Sequence, residues 1–440
     1  MAQLARRAWV PEPSEDLIQE LAQRCADSDV NDIADQLSEL VEQNLVIHDR
    51  ECINLNPATN TMNPRAEAIL SQGLGARPSL GYPGDKYEMG LEAIEQIEVI
   101  ATELSAEVFG AKYAEIRVGS GALANLYGFM ATAKPGDAII VQPADIGGHI
   151  THHEAGAAGL YGLDIHMGPV DADKYTVDLE RLRALAQKVR PKLITIAGSL
   201  NLTPHPVREV REIADEVGAW LLYDAAHMCG MIAGHQWQQP LEEGAHLMTM
   251  STYKSLGGPA SGLILTNEAA LAERLDAIAY PGLTANFDVA KSAALAFTML
   301  DWKVYGRAYA KEMGESARTL AQALSNDGAP VFAAEKGFTQ SHQFAIEAAK
   351  YGGGQTLAKT LRKANLLTCG IGLPLPAMKD DVNGLRMGTP EVVRWGMKAK
   401  DMPELAELIG RIIVHNEAPE QVCDDVIAFR KRFGTLTFIR

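Results

Sequence analysis

Along this chain, apolar residues recur at helical spacing in some stretches and run without interruption in others, and the alternation of the two predicts a layered α/β protein. Between Pro13 and about Val46, a polar and acidic background carries Leu17, Leu21, Ile33, Leu37, Leu40 and Val41 at helical intervals, which predicts one or two exposed helices. INLNPATNTMNP (53–64) and LGYPGDKYEMG (80–90) hold too much Asn, Pro and Gly to be read as helix or strand, and irregular segments of this kind are often functional. From Leu91 the pattern is regular: Ile94, Ile97, Leu104 and Val108 share one helical face, and Gly110 closes it. Apolar runs at 135–141, 191–198, 219–224, 245–250 and 262–266 then read as buried strands, with amphipathic helices at 177–189 and 207–218 among them. Such runs separated by helices imply a mainly parallel sheet covered on both faces, whose ligands bind at the carboxyl ends of the strands.

After about Asn286 a long helical stretch leads to a smaller unit with a strand at 342–348 and a helix at 356–365. The expected organisation is an N-terminal helical arm over 1–62, a large domain over 63–286 and a small C-terminal α+β domain over 287–440. No internal repeat is visible.

Composition narrows the classes. The 440 residues are 47% apolar and 22% charged, with a net charge of −16 and a pI near 5.2, so a nucleic-acid surface is not expected. Five scattered cysteines without a C-x-x-C pair suit reduced thiols in a cytoplasm better than a disulfide framework or a zinc ribbon. No run reaches the roughly 20 apolar residues of a membrane span, and none follows the two arginines of the opening segment, so the expected place is the cytosol.

Candidate chemistry gathers where strands end. Lys254, in MSTYKSLGGP, follows one buried strand; it reads either as a surface lysine or as a Schiff-base amine. Asp224 ends the strand before it and reads either as a helix cap or as the carboxylate that keeps the pyridine nitrogen of pyridoxal 5'-phosphate (PLP) protonated. Gly119, Ser120 and Gly121 precede a helix and suit either a plain turn or a phosphate site at the helix's positive end. GGHITHH (147–153) lacks the usual partners of a zinc site, and stacking on a flat cofactor is the better use of His149. Arg386, between glycines in NGLRMGTPE, is either a surface or salt-bridged arginine or a bidentate grip for an α-carboxylate.

These segments in this order resemble the serine hydroxymethyltransferase family of fold-type I PLP enzymes, from about Ile53 to about Ile413. LGYPGDKY resembles the family's E-G-Y-P-G-x-R-Y, GGHITHH its G-G-H-L-T-H, DAAHMCGMIAG its D-M-A-H-x-A-G-L-x-A, STYKSLGGPASG its T-T-H-K-T-L-x-G-P-R-G and GLRMGTPEVVRWGM its G-x-R-x-G-T-P-A-x-T-x-R-G. The resemblance implies that Lys254 carries PLP, Asp224 pairs with its ring nitrogen, His149 stacks on the ring, Ser120 and Gly121 hold the phosphate, Ser199 and His227 contact the 3-oxygen side, and Arg386 binds the substrate carboxylate. It also implies a homodimer or a tetramer with shared sites, in which Tyr87 acts in trans.

The departures fall on the side that serves serine and tetrahydrofolate. Leu80 stands where the family has a glutamate, Glu88 where it has a second tyrosine, and Pro78, Ala58, Tyr253, Ala260, Ala285 and Asn286 replace further family residues. The reading is therefore a folate-independent enzyme that breaks and makes the Cα–Cβ bond of a small β-hydroxy-α-amino acid, with an aldehyde as partner product. Glu88 or His149 is the candidate group to take the hydroxyl proton. Tetrahydrofolate-dependent hydroxymethyl transfer is the first alternative; a PLP transaminase or decarboxylase of the same fold and a catalytically silent PLP-binding protein are the others.

Overall fold

The computed structural model describes residues 2–440 and divides into two compact units, Met1–Cys52 and Ile53–Arg440. The first holds helices α1 (Glu12–Asp27) and α2 (Val30–Leu45). Asp29 caps α2 by accepting from the amides of Asn31 and Asp32. Leu37, Leu40 and Val41 are exposed along α2, at the helical intervals read from the sequence.

In the second unit, helix α3 (Glu92–Phe109) leads into strand β1 (Tyr113–Val118), which is followed by α4 (Gly121–Thr132), β2 (Ala138–Val141) and β3 (Asp164–Met167). The chain continues through α5 (Leu179–Val189), β4 (Leu193–Ala197), α6 (Val207–Val217) and β5 (Trp220–Asp224). It then passes a short helix α7 (Cys229–Ala233) before β6 (Leu247–Ser251) and β7 (Gly262–Thr266). The seven strands form one sheet in the order β1-β7-β6-β5-β4-β2-β3, in which β7 runs antiparallel to both neighbours and the remaining pairs are parallel. Every residue of β4, β6 and β7 is buried, as expected of strands covered on both faces. Helix α6 shows the matching logic from the other side, burying Val207, Val210, Ile213, Ala214 and Val217 along one stripe.

Helix α8 (Val289–Asp327) runs 39 residues, about 58 Å at 1.5 Å per residue, and packs on both α3 and the later helix α10. Beyond it, β8 (Gln343–Glu347), α9 (Gly354–Arg362), β9 (Cys369–Ile371) and β10 (Gly384–Gly388) form a small antiparallel sheet of order β8-β10-β9 with its helix. Helices α10 (Met402–Ile413) and α11 (Pro419–Arg430) complete the unit.

The two turn-rich segments carry more regular structure than their composition suggests. Ile53–Asn54 pairs in parallel with Leu366–Leu367, and Asn63 caps a short helix, Pro64–Ile69. Gly81–Tyr82 and Asp85–Lys86 form a hairpin around Pro83-Gly84, where Gly84 has φ +85°. Proline followed by a left-handed glycine is the signature of a type II turn, so the residues that argued against a strand are the ones that let two strands meet. Among the described residues, no helix is long and apolar enough to cross a membrane.

Candidate active site

Three neighbouring strands deliver their carboxyl ends to one crevice. β4 hands over to Gly198 and Ser199, β5 ends on Asp224, and β6 ends three residues before Lys254. Lys254 Nζ lies 3.1 Å from Nε2 of His227, and Nη1 of Arg386, arriving from the small sheet, lies 3.4 Å from the same nitrogen. Because both cations donate, His227 Nε2 is an acceptor and the imidazole proton sits on Nδ1, which is buried without a partner. Burial, reinforced by the charges of Lys254 and Arg386, pushes His227 well below its ordinary pKa and keeps it neutral. Burial likewise lowers Lys254 to about 8, with Asp224 opposing the shift and Arg386 adding to it.

Asp224 is built into a network that the sequence did not reveal. Its Oδ2 accepts from His152 Nε2 at 2.9 Å and from Asn125 Nδ2 at 3.1 Å, and its Oδ1 accepts from the Ala226 amide at 2.9 Å. Asn125 also donates to Thr151 Oγ1 and receives the Thr249 hydroxyl, while Thr151 Oγ1 bonds to His149 Nδ1 at 2.8 Å. Burial raises the Asp224 carboxyl, but His152, His149 and the Ala226 amide outweigh it and hold the group well below the usual carboxylate range. Three of its roughly four lone-pair positions are taken, which leaves one on Oδ1 for a further donor. Burial takes His149 down to about 4, so the ring joined to this network through Thr151 is neutral. The three histidines of GGHITHH thus have separate partners, since His153 is bonded to the Gln142 carbonyl.

The turn after β1 forms a cradle at the amino end of α4. Ser120 caps the helix, its Oγ accepting from the Leu123 amide at 3.1 Å. A Cβ on Gly121 would lie 2.0 Å from Ser251 Oγ and 3.1 Å from Ser251 Cβ, so the turn packs closely against the end of β6. Ser199 contributes its carbonyl, which receives an N–H of Arg386. Arg386 is 6% exposed, and its hydrogen bonds go to neutral atoms alone: that carbonyl, His227 Nε2 and Cys369 Sγ. No carboxylate pairs with it among the described residues, and a buried cation so placed calls for an anionic ligand.

Tyr87 and Glu88 follow the hairpin at 81–86, which Lys86 anchors by a 2.5 Å ion pair to Glu98; Glu98 also accepts from Ser79. Tyr87 is 78% exposed, while one carboxylate oxygen of Glu88 is buried without a partner. No hydrogen bond or ion pair among the described residues joins either side chain to the Lys254 cluster. The residues that sequence reasoning passed over are Asn125, Thr151, His152 and Cys369. Asn125 had a legible signal, since it lies one helical turn beyond Gly121 and so faces the same crevice.

The donors in this crevice suit PLP. The glycine-walled helix terminus fits a phosphate, the open position on Asp224 Oδ1 fits a ring N–H, and the buried amine of Lys254 fits a carbonyl carbon. With the parallel sheet around it, this is the site of a fold-type I PLP enzyme. The serine hydroxymethyltransferase family model matches residues 30–409. The chain is 62% identical over 437 residues to an alpha-methylserine aldolase of Ralstonia sp, covering 99% of this chain and 100% of that one. It is 62% identical over 438 residues to an alpha-methylserine aldolase of Variovorax paradoxus, covering 100% of this chain and 99% of the other. Against a serine hydroxymethyltransferase of Staphylothermus marinus the identity is 36% over 400 residues, 90% of this chain and 91% of the relative. The chain belongs to the serine hydroxymethyltransferase family, whose enzymes use PLP.

Proposed function

We propose that this protein is an aldolase that cleaves 2-methylserine into formaldehyde and alanine without tetrahydrofolate. The observation that carries this reading is the shared contact of Lys254 and Arg386 on His227 Nε2, which holds Nζ and Nη1 within 6.5 Å of each other. An amine anchor and an unneutralised guanidinium so close together suit a substrate whose amino and carboxylate groups sit on one carbon. The two relatives at 62% identity, both named alpha-methylserine aldolase, support the choice of substrate.

In this mechanism Arg386 grips the carboxylate and Asp224, fixed by His152 and Asn125, keeps its negative charge against the ring nitrogen. Bound PLP supplies the electron sink that takes up the Cα–Cβ bonding pair. His149 covers the ring face. Glu88 is the group we assign to take the hydroxyl proton as formaldehyde leaves. Lys254 would hold the cofactor, and its Nζ, with a pKa that burial lowers to about 8, is the group we assign to give a proton to Cα from its protonated form. Leu80 has no proton to exchange, which supports the folate-independent reading. We further read the enzyme as a cytoplasmic homodimer. Its five scattered cysteines, with no C-x-x-C pair among them, suit a reducing compartment, and the exposed Tyr87, Met89 and Leu160 suit an apolar contact between subunits.

The test is cleavage of 2-methylserine, serine and threonine, each with and without tetrahydrofolate, followed by the amino-acid product and by the aldehyde, which is formaldehyde from the first two and acetaldehyde from threonine. Cleavage of 2-methylserine alone, unaffected by the folate, is expected. Alanine or glycine formation that requires tetrahydrofolate, with the one-carbon unit passed to the folate, would instead make the protein a hydroxymethyltransferase.

A further inference from the structure

Arg386 stands on the central strand of the small sheet, directly opposite Ala345 of β8 on one side and Cys369 of β9 on the other. Residues paired across strands share a face, so Ala345, Arg386 and Cys369 form one row. The next positions on that face of β10 are Gly384 and Gly388, which carry no side chain. Within this row, then, the guanidinium has one polar neighbour. Cys369 Sγ lies 3.4 Å from Nε and 3.2 Å from Nη2, spanning one edge of the guanidinium, while Nη1 turns to Ser199 and His227. The thiol proton points elsewhere, to Asn56 Oδ1 at 3.1 Å, so the sulfur lone pairs are left to face the cation.

A neutral sulfur is a weak acceptor. It can set the plane of a guanidinium without cancelling its charge, whereas a carboxylate in the same place would form a bidentate pair and compete with any anionic ligand. We propose that Cys369 is a positioning residue for carboxylate recognition: aimed by Asn56, its thiol orients Arg386 and leaves the charge of that arginine to the amino acid. The inference rests on the reading of Arg386 as the carboxylate grip.

Holoenzyme carrying Cys369→Ala, Cys369→Ser, Cys369→Asp or Arg386→Ala tests it, with retention of fold and cofactor followed by circular dichroism and cofactor absorbance. Cys369→Ala should raise KM for 2-methylserine about tenfold with kcat within about twofold, because two buried N–H groups lose their acceptor. Cys369→Ser should recover part of this. Cys369→Asp should raise KM about 100-fold or more through an internal ion pair. In the parent enzyme, alkylation of Cys369 by iodoacetamide, mapped by peptide mass, should be slowed by 2-methylserine and not by 2-aminopropan-1-ol, the same molecule without its carboxylate. Parent KM in both the Ala and Asp variants, or equal protection by the two compounds, would overturn the proposal. If Arg386→Ala loses amino-acid binding while the Cys369 variants keep it, this inference alone falls; if Arg386→Ala binds as the parent does, the carboxylate reading falls and takes this one with it.

Discussion

Replacing Lys254 by methionine should make the cofactor-free protein more stable, with a pH signature that identifies the cause. The Lys254 ammonium is 6% exposed, and burial has brought its pKa from 10.5 to about 8. Near pH 7 the amine is charged in both the folded and the unfolded chain, so the folded state bears the full penalty of that burial. A fall of about 2.5 on the pH scale, at 1.36 kcal/mol each, corresponds to about 3 kcal/mol. Methionine keeps most of the stem volume and removes the charge. Cofactor-free Lys254→Met should therefore exceed the cofactor-free parent by up to about 3 kcal/mol near pH 7. Between about 8 and 10.5 the folded parent has released its proton while the unfolded chain still holds one, so the stability of the parent climbs with pH and the advantage of the variant fades; below 8 the advantage is flat. Urea unfolding of both proteins near pH 7 and near pH 10 measures this. No advantage near neutrality, or one that persists undiminished near pH 10, would refute the reasoning.

The other expectations concern the groups around that lysine. Asp224→Ala should leave the cofactor attached, seen by its absorbance, yet lower kcat by about 100-fold or more, since the charge opposite the ring nitrogen is lost; near-parent turnover would remove Asp224 from this role. Arg386→Lys should weaken amino-acid binding by about 1.5–3 kcal/mol in KM, because a point charge cannot replace a planar two-pronged donor. Glu88→Gln should slow formaldehyde release by about 100-fold, the usual contribution of a general base, and parent activity would shift the role to His149 or to water.

How far the sequence exposed these features depended on whether the signal was local. β4 and β7 were legible because Leu193–Ala197 and Gly262–Thr266 are short, mostly apolar runs without a charged residue, and every one of those residues is buried. Lys254, Asp224 and Ser120 were legible as strand-end residues, which sheet topology sends to one crevice. The hairpin at 81–86 was hidden because Pro and Gly read as breakers, although a two-residue turn needs them. His152 and Cys369 were hidden for another reason. Nothing near His152 in the chain announces a carboxylate 72 residues away, and Cys369 meets Arg386 only because the register of β9 on β10 sets them opposite. Contacts made by register or by crevice packing leave no periodic trace.

Helix α8 ties two halves of this unit to one rigid rod. It lies along α3, which comes just after Tyr87 and Glu88 in the chain, and along α10, which belongs to the part that carries Arg386. A continuous helix has a fixed angular phase of about 100° per residue. One residue inserted near its middle would turn one half against the other by that angle and withdraw the stripe that one of the two partners packs on. The length of α8 between these contacts is thus a gauge, and sequence change there is expected to proceed by substitution and not by insertion or deletion.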